Sequence, residues 1–334
     1  MNAAASTPPD APDERVPVTL LSGFLGSGKT TLLNRLLRSP VGAGIAVVVN
    51  EFGELPIDGR LVESSQDEVL ELANGCICCS VRGDLVRTAH ELFERRSRRL
   101  VGRLRFDRLV IEASGLASPG PVHQTFRLDD QLARQTRPAG TVTLCHAGLI
   151  ESQMAEFTEA AEQVGYADVC VLNHTDGLSS SALDAAEASV RRVNALAPIH
   201  RAVRADVDVL ALLDEAEPTE ERWQLFDASG TATSHTDSVV SYSLVHDGAL
   251  DIHRLKIWLQ FVAARRDWRI MRMKGIVRTA TRTEPTVVQA VHQYLEIGPG
   301  AGAAPERSIL VVIGRDIDED VLRDGWSRLL AGSS

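Results

Sequence analysis

The stretch Val18–Leu37, VTLLSGFLGSGKTTLLNRLL, leaves this chain few folds to choose from. A short apolar run suited to a β-strand (Val18 to Leu21) leads into a glycine-rich turn and then into a leucine-periodic helix. Between them, Gly23 to Thr30 spell G-x-x-x-x-G-K-T, the phosphate-binding loop in the strand-loop-helix context it requires. Glycines let successive backbone N–H groups converge on one anion, and the following helix adds the positive end of its dipole. Lys29 would reach the β- and γ-phosphates, and the Thr30 hydroxyl would ligate Mg²⁺. The chain has only three lysines, Lys29, Lys256 and Lys274. One of them stands at the loop position where a compact ammonium fits and a planar guanidinium does not. These residues imply a nucleotide-binding protein.

A length of 334 residues favours two domains. The net charge of −10 argues against a nucleic-acid binder, and no apolar run is long enough for a bilayer. Residues 1–15 lack a basic and an apolar signal region and read as a disordered tail. Five cysteines, three of them within four positions, do not make a secreted disulfide framework, so a reducing cytoplasm is expected.

Ile45 to Val49 is an uninterrupted apolar run, as in a parallel strand covered on both faces. It ends in Asn50, Glu51 and Glu54, with Asp58 following, where α/β sheets place ligands. This strand and the phosphate-loop strand are expected side by side. Val69 to Leu72 reads as a short strand, and Val81 to about Arg98 as an amphipathic helix. Before that helix stand Cys76, Cys78 and Cys79, where the helix dipole favours thiolate, the form that binds borderline metals. At most three ligands are local, so a tetrahedral ion needs another from elsewhere. A redox dithiol and a buried structural role stay open beside the metal reading, and the structural role suits Cys145 and Cys170.

Phe106 to Ile111 is a further strand, ending in Glu112-Ala113-Ser114-Gly115. A carboxylate at a strand end with glycine three positions on suits a γ-phosphate switch: Glu112 near Mg²⁺, the Gly115 N–H facing the phosphate. Strands at Thr141–Leu144 and Ala167–Leu172 flank a helix from about Glu151 to Val164. The second strand ends in Asn173-His174-Thr175-Asp176. Asn173 and Asp176 keep two positions of the guanine-reading N-K-x-D pattern, with His174 in place of lysine; a plain turn is the duller reading. A helix from about Ser180 to Leu196 and a strand near Ile199–Val203 close this part. Composition turns acidic and then small and polar over 205–237, which reads as a linker. Strands are expected at Ser238–Val245, Trp268–Thr279, Thr286–Ile297 and Ser308–Ile313, and helices at Leu250–Ala263 and Asp318–Leu330. The expected domains are a phosphate-loop domain with a mostly parallel sheet (16–214), a linker (215–237) and a smaller α+β domain (238–334).

GFLGSGKTTLLN, VNEFGE with Asp58, NGCICC, RLVIEASGLASPGPV, QVGYAD, MKGIVR and VVIGRDID together resemble the CobW-type metal-chaperone GTPases, relatives of the urease and hydrogenase maturation GTPases. The likeness covers most of residues 16–330. It implies a P-loop GTPase of low turnover that uses GTP/GDP and Mg²⁺. It also implies transition-metal binding, most often zinc with cobalt or nickel as other cargo, and delivery to a metal-requiring client protein. Carried onto this sequence, Gly26, Ser27, Gly28, Lys29, Thr30 and Thr31 would hold phosphates and Mg²⁺, and Asn173 and Asp176 the base. Lys29, Glu112 and Gly115 would serve hydrolysis. Cys76, Cys78 and Cys79 would hold the metal, with Glu54 as an added ligand. His174 replaces the family's usual lysine, and His146 stands where relatives often have aspartate. The rival reading is a nucleotide-sensing metal buffer or regulator that barely hydrolyses; a small-molecule kinase is a lesser one. Oligomerisation is left open.

Overall fold

In a computed structural model, residues 13–49, 81–97, 105–217, 234–235, 239–291, 294–300 and 302–330 are described. The Asn50, Glu51, Glu54 and Asp58 cluster, Val69–Leu72 and the three clustered cysteines lie outside them.

The apolar runs of the first half form parallel strands. These are β1 (Val16–Gly23), β2 (Ile45–Val49), β3 (Arg108–Glu112), β4 (Thr136–His146), β5 (Val169–Asn173) and β6 (Ile199–Arg201). They form one sheet in the order β2-β3-β1-β4-β5-β6, with every pairing parallel. Helices cover both faces: α1 (Lys29–Arg38), α2 (Val81–Ser97), α3 (Gly120–Leu128), α4 (Asp130–Gln135), α5 (Ile150–Glu156), α6 (Thr158–Tyr166), α7 (Ser180–Val193) and α8 (Val209–Ala216). Alternate strand residues point to opposite faces, so Leu21, Val110, Val142 and Val171 pack with Leu32 and Leu33 of α1 and Leu212 of α8. Leu20, Leu109 and Ile111 pack on the other side with Leu92, Phe126 and Leu132. Cys145 and Cys170 are buried free thiols beneath α5 to α7, the structural role expected for them.

Three expectations about this half need correction. β1 and β2 are not neighbours, because β3 lies between them. β1 and β3, the more deeply buried strands, take interior places, while β2, entirely apolar but only partly buried along its length, forms an edge. The helix expected over Glu151–Val164 is two, broken at Phe157, whose backbone is extended and whose ring lies 4.9 Å from that of Phe24. The compositional shift at 205 does not begin a linker. α8 occupies its first part, capped by Asp208 and burying Val209, Leu212, Leu213 and Ala216.

The second half builds an antiparallel sheet, ordered β11-β10-β9-β12-β8-β7. Its strands are β7 (Ser234–His235), β8 (Val240–His246), β9 (Arg269–Val277), β10 (Thr286–Val291), β11 (Tyr294–Pro299) and β12 (Ser308–Arg315). Helices α9 (Ile252–Ala264) and α10 (Glu319–Ser327) pack on it through Leu255, Leu259, Leu322 and Trp326. The strand expected over Thr286–Ile297 is therefore two strands, paired antiparallel with each other. Met271, Val311 and Ile313 of this sheet share a core with Val164 of α6 and Val190 of α7, so the two sheets meet through those helices.

Candidate functional site

All strands of the first sheet run the same way, so β1, β3, β4 and β5 end along one edge, at the place where the strand order reverses around β1. The loop after β1 has positive φ at Gly23 (141°), Gly26 (73°) and Gly28 (103°). Gly28 is the residue before α1 and brings no capping side chain, and the first turn of α1 holds no acid. By contrast α7, α8, α9 and α10 are capped by Ser179, Asp208, Asp251 and Asp318. An N-terminus built this way presents backbone N–H groups and positive potential to an anion. Lys29 is buried, with its Nζ donating to the carbonyls of Gly23 (2.8 Å) and Phe24 (3.3 Å). Gly26 and Thr31 lie exposed on the rim and Ser27 is buried beneath it.

Thr30 Oγ1 donates to Glu112 Oε1 at 3.1 Å. Glu112 is 5% exposed, and across the sheet it stands level with Leu21 on one side and Val49 on the other. Gly115 follows, buried and tight against the loop: a Cβ there would lie 2.6 Å from Leu25 Cδ2 and 3.0 Å from the Leu25 nitrogen. Glu112, Gly115 and the phosphate loop are thus brought together.

At the far end Asn173 is fully buried. Its Nδ2 donates to the Ser27 carbonyl (2.9 Å), and its Oδ1 accepts from the Ala205 N–H (2.7 Å). From the end of β5 it ties the phosphate loop to the loop after β6. Asp176 is exposed beside it. His146 and His174, two separate departures in the sequence, stack on each other with ring centres 4.4 Å apart and planes 17° apart. Burial, then the neighbouring His174, lowers the pKa of His146. His174 holds φ 60°, a conformation histidine tolerates better than most residues.

Sequence reasoning gave no role to Gln163, whose Nε2 donates to the carbonyls of Gly115 and Ala117. Its only signal was the QVGYAD run. The metal residues Cys76, Cys78, Cys79 and Glu54 lie outside the described residues. Among the described residues, no group of three or more His, Cys, Asp or Glu side chains could hold a metal ion. No described helix is long and apolar enough to cross a membrane.

Residues 17–201 match the family model for the CobW/HypB/UreG nucleotide-binding domain, and residues 239–330 that for the cobalamin synthesis protein cobW C-terminal domain. The chain is 40% identical over 194 residues to the zinc chaperone YjiA of Escherichia coli (58% of this chain, 59% of that one). It is 31% identical over 264 residues to the zinc-regulated GTPase metalloprotein activator 1 of Schizosaccharomyces pombe (74% of this chain, 62% of that one). The matches therefore span less than two thirds of those two relatives, whereas the zinc chaperone CobW of Sinorhizobium is matched over 98% of its length at 29% identity. Among solved structures, the Zn(II)-bound YjiA GTPase from E. coli superposes with a TM-score of 0.70 at 28% identity, covering 95% of this chain and 99% of that one.

Proposed function

The chain belongs to the CobW/HypB/UreG family, and from that premise we propose that it hydrolyses GTP and uses the nucleotide state to bind and release a transition metal, which it passes to a metal-requiring client rather than stores. Zinc is the proposed cargo, after the relatives named for it. The observation that carries the reading is the position of Glu112, bonded to Thr30 and level with the strand ends Leu21 and Val49. Leu21 leads into the phosphate loop. Val49 leads into 50–80, the stretch that holds Glu54 and the three cysteines. Coupling between γ-phosphate and metal would then run through Glu112 and β3, not directly from β1 to β2.

A hydroxyl beside a carboxylate is an oxygen donor pair suited to a hard cation, so Thr30 and Glu112 would hold Mg²⁺, which neutralises phosphate charge when bound. The chain's own contribution is positioning and charge: loop amides and Lys29 on the phosphates, and Gly115 against the γ-phosphate. Asn173 fixes the base loop, and Asp176 would accept from guanine N–H groups. Cys76, Cys78 and Cys79 would supply thiolates, with Cys78 as the anchor and Glu54 as the added ligand. The rival reading, a metal buffer that barely hydrolyses, is favoured by the His146–His174 stack at the base end.

Two measurements test this. GDP formation should exceed that of Lys29→Ala; equal rates favour the buffer. Zinc, cobalt and nickel titrated into GDP-loaded and GTP-analogue-loaded protein should show affinities differing by about 5- to 150-fold, with the same factor on nucleotide affinity by reciprocity. Cys78→Ala should abolish tight binding, and affinity should fall with pH as protons compete for thiolate. Identical affinities in both nucleotide states would sink the coupling.

A further inference from the structure

The loop after β3 is gripped from two sides. On one side Gly115 lies against Leu25 of the phosphate loop, with no room for a side chain. On the other, Gln163 of α6 donates from Nε2 to the Gly115 carbonyl at 3.0 Å and to the Ala117 carbonyl at 3.1 Å. Two carbonyl oxygens flank that atom, so it must be the amide nitrogen, and the side chain can face only one way. Gln163 is 1% exposed, and its own backbone carbonyl accepts from Thr143 Oγ1 on β4 at 3.0 Å. The donor is therefore mounted on the sheet and not on a mobile surface.

The other half of the amide says what the residue is for. Gln163 Oε1 is buried with no hydrogen-bond partner among the described residues. A buried, unsatisfied acceptor is destabilising, so an apolar side chain would fill this place better if filling were its task. What the glutamine adds is two hydrogen bonds to one loop. The carbonyl of Gly115 belongs to the peptide that follows it, so holding it limits how the Gly115 N–H on the other side can turn.

We propose that Gln163 is a positioning residue for GTP hydrolysis. It holds the 115–117 backbone so that the Gly115 N–H meets the γ-phosphate, without touching the nucleotide itself. The inference rests on the reading of Glu112–Gly115 as the γ-phosphate switch.

Methionine has nearly the volume of glutamine and donates nothing, so Gln163→Met separates packing from positioning. The full-length protein is compared with its variant for GDP affinity, for kcat and KM of GTP hydrolysis, and for hydrogen exchange of amides 113–118. The expected result is a kcat lowered by roughly 10- to 100-fold, the scale of a misplaced reacting group. GDP affinity and KM should hold, and exchange at 113–118 should rise. A purely structural role would instead lower the folded fraction and GDP binding together, leaving kcat per folded molecule unchanged. Should Gln163→Met fail to fold, Gln163→Asn carries the same expectation, because it keeps an amide one methylene too short for both carbonyls. Wild-type kcat in either folded variant overturns the proposal. Two further outcomes separate it from the reading beneath it. Identical exchange at 113–118 in wild-type protein with GDP and with a non-hydrolysable GTP analogue defeats the switch itself. Nucleotide-dependent exchange that survives unaltered in Gln163→Met defeats only the role of Gln163.

Discussion

Gly28 and Asn173 show how narrowly single residues are held at this site. A Cβ on Gly28 would fall 2.3 Å from Asn173 Nδ2, at a φ of 103°. The glycine is what lets the asparagine reach the Ser27 carbonyl. Asn173→Ala would strand that carbonyl and the Ala205 N–H, each a buried group whose loss of a partner costs about 1–3 kcal/mol. The expected outcome is a lower urea midpoint together with weaker GDP binding; full-strength GDP binding by a folded Asn173→Ala would show that the tie does not shape the loop. The stacked histidines give a second, pH-linked expectation. The pKa of His146 lies below the ordinary imidazole value of 6.5 in the folded protein, through burial and then through His174. Below 6.5 the unfolded chain takes up the proton first. The stability due to the neutral ring is therefore complete above that pH and lost as pH falls through the lower folded value. Thermal midpoints of wild type and His146→Asn should diverge above 6.5 and converge in acid.

At the scale of elements, α8 is seated by the one glycine beneath it. Gly140 of β4 holds φ 87°, and a Cβ there would meet the Ala216 carbonyl at 2.0 Å. Gly140→Ala should cost about 1–2 kcal/mol for the left-handed backbone and about 1–3 kcal/mol more for the clash. Gly177→Ala, at φ 80° with nothing within 4 Å, should show the first cost alone. Matching losses in denaturation midpoint for the two would mean that α8 yields freely. The strands of the first sheet were legible because burial on both faces writes them as unbroken apolar runs, as at Ile45–Val49. Their spatial order was not, since sequence order says nothing of which strand takes the interior place. α8 was hidden because composition was weighed over a window that its apolar spacing at 209, 212, 213 and 216 did not dominate. Phe157 breaks a helix for the sake of Phe24, far away in the chain, and no local signal carries that. The stretch VVQAVHQYLEI holds no glycine, proline, asparagine or aspartate, so the paired strands β10 and β11 read as one.

In the whole molecule the QVGYAD run does two jobs, and the second joins the domains. Gln163 grips the loop after β3, while five residues on Asp168 binds Arg272 and Lys274 of β9 through Oδ1 and the Thr141 N–H (2.9 Å) through Oδ2. Arg272 also donates to the Tyr166 carbonyl. The sequence showed the run and the MKGIVR segment as separate marks of one family, and only the fold brings them into contact. Burial alone would raise the Asp168 carboxyl, but the two cations and their hydrogen bonds outweigh it and bring the pKa down to about 2. The stability this pairing contributes is present above the unfolded value of 3.8 and is lost as pH falls through about 2. Removing the carboxylate at neutral pH leaves two cations facing each other without it, and breaking a buried ion pair in this way costs about 3–5 kcal/mol. Because the shared core of Val164, Met271 and Ile313 lies close by, that loss should fall on the junction more than on either sheet. Asp168→Asn should therefore unfold in two steps where the wild type unfolds in one, followed by circular dichroism and by tryptophan emission, since Trp258, Trp268 and Trp326 report on the second domain. In acid the difference between the two proteins should shrink as wild-type Asp168 itself takes up a proton. A single transition with an unchanged midpoint in Asp168→Asn would mean that the apolar core alone joins the domains.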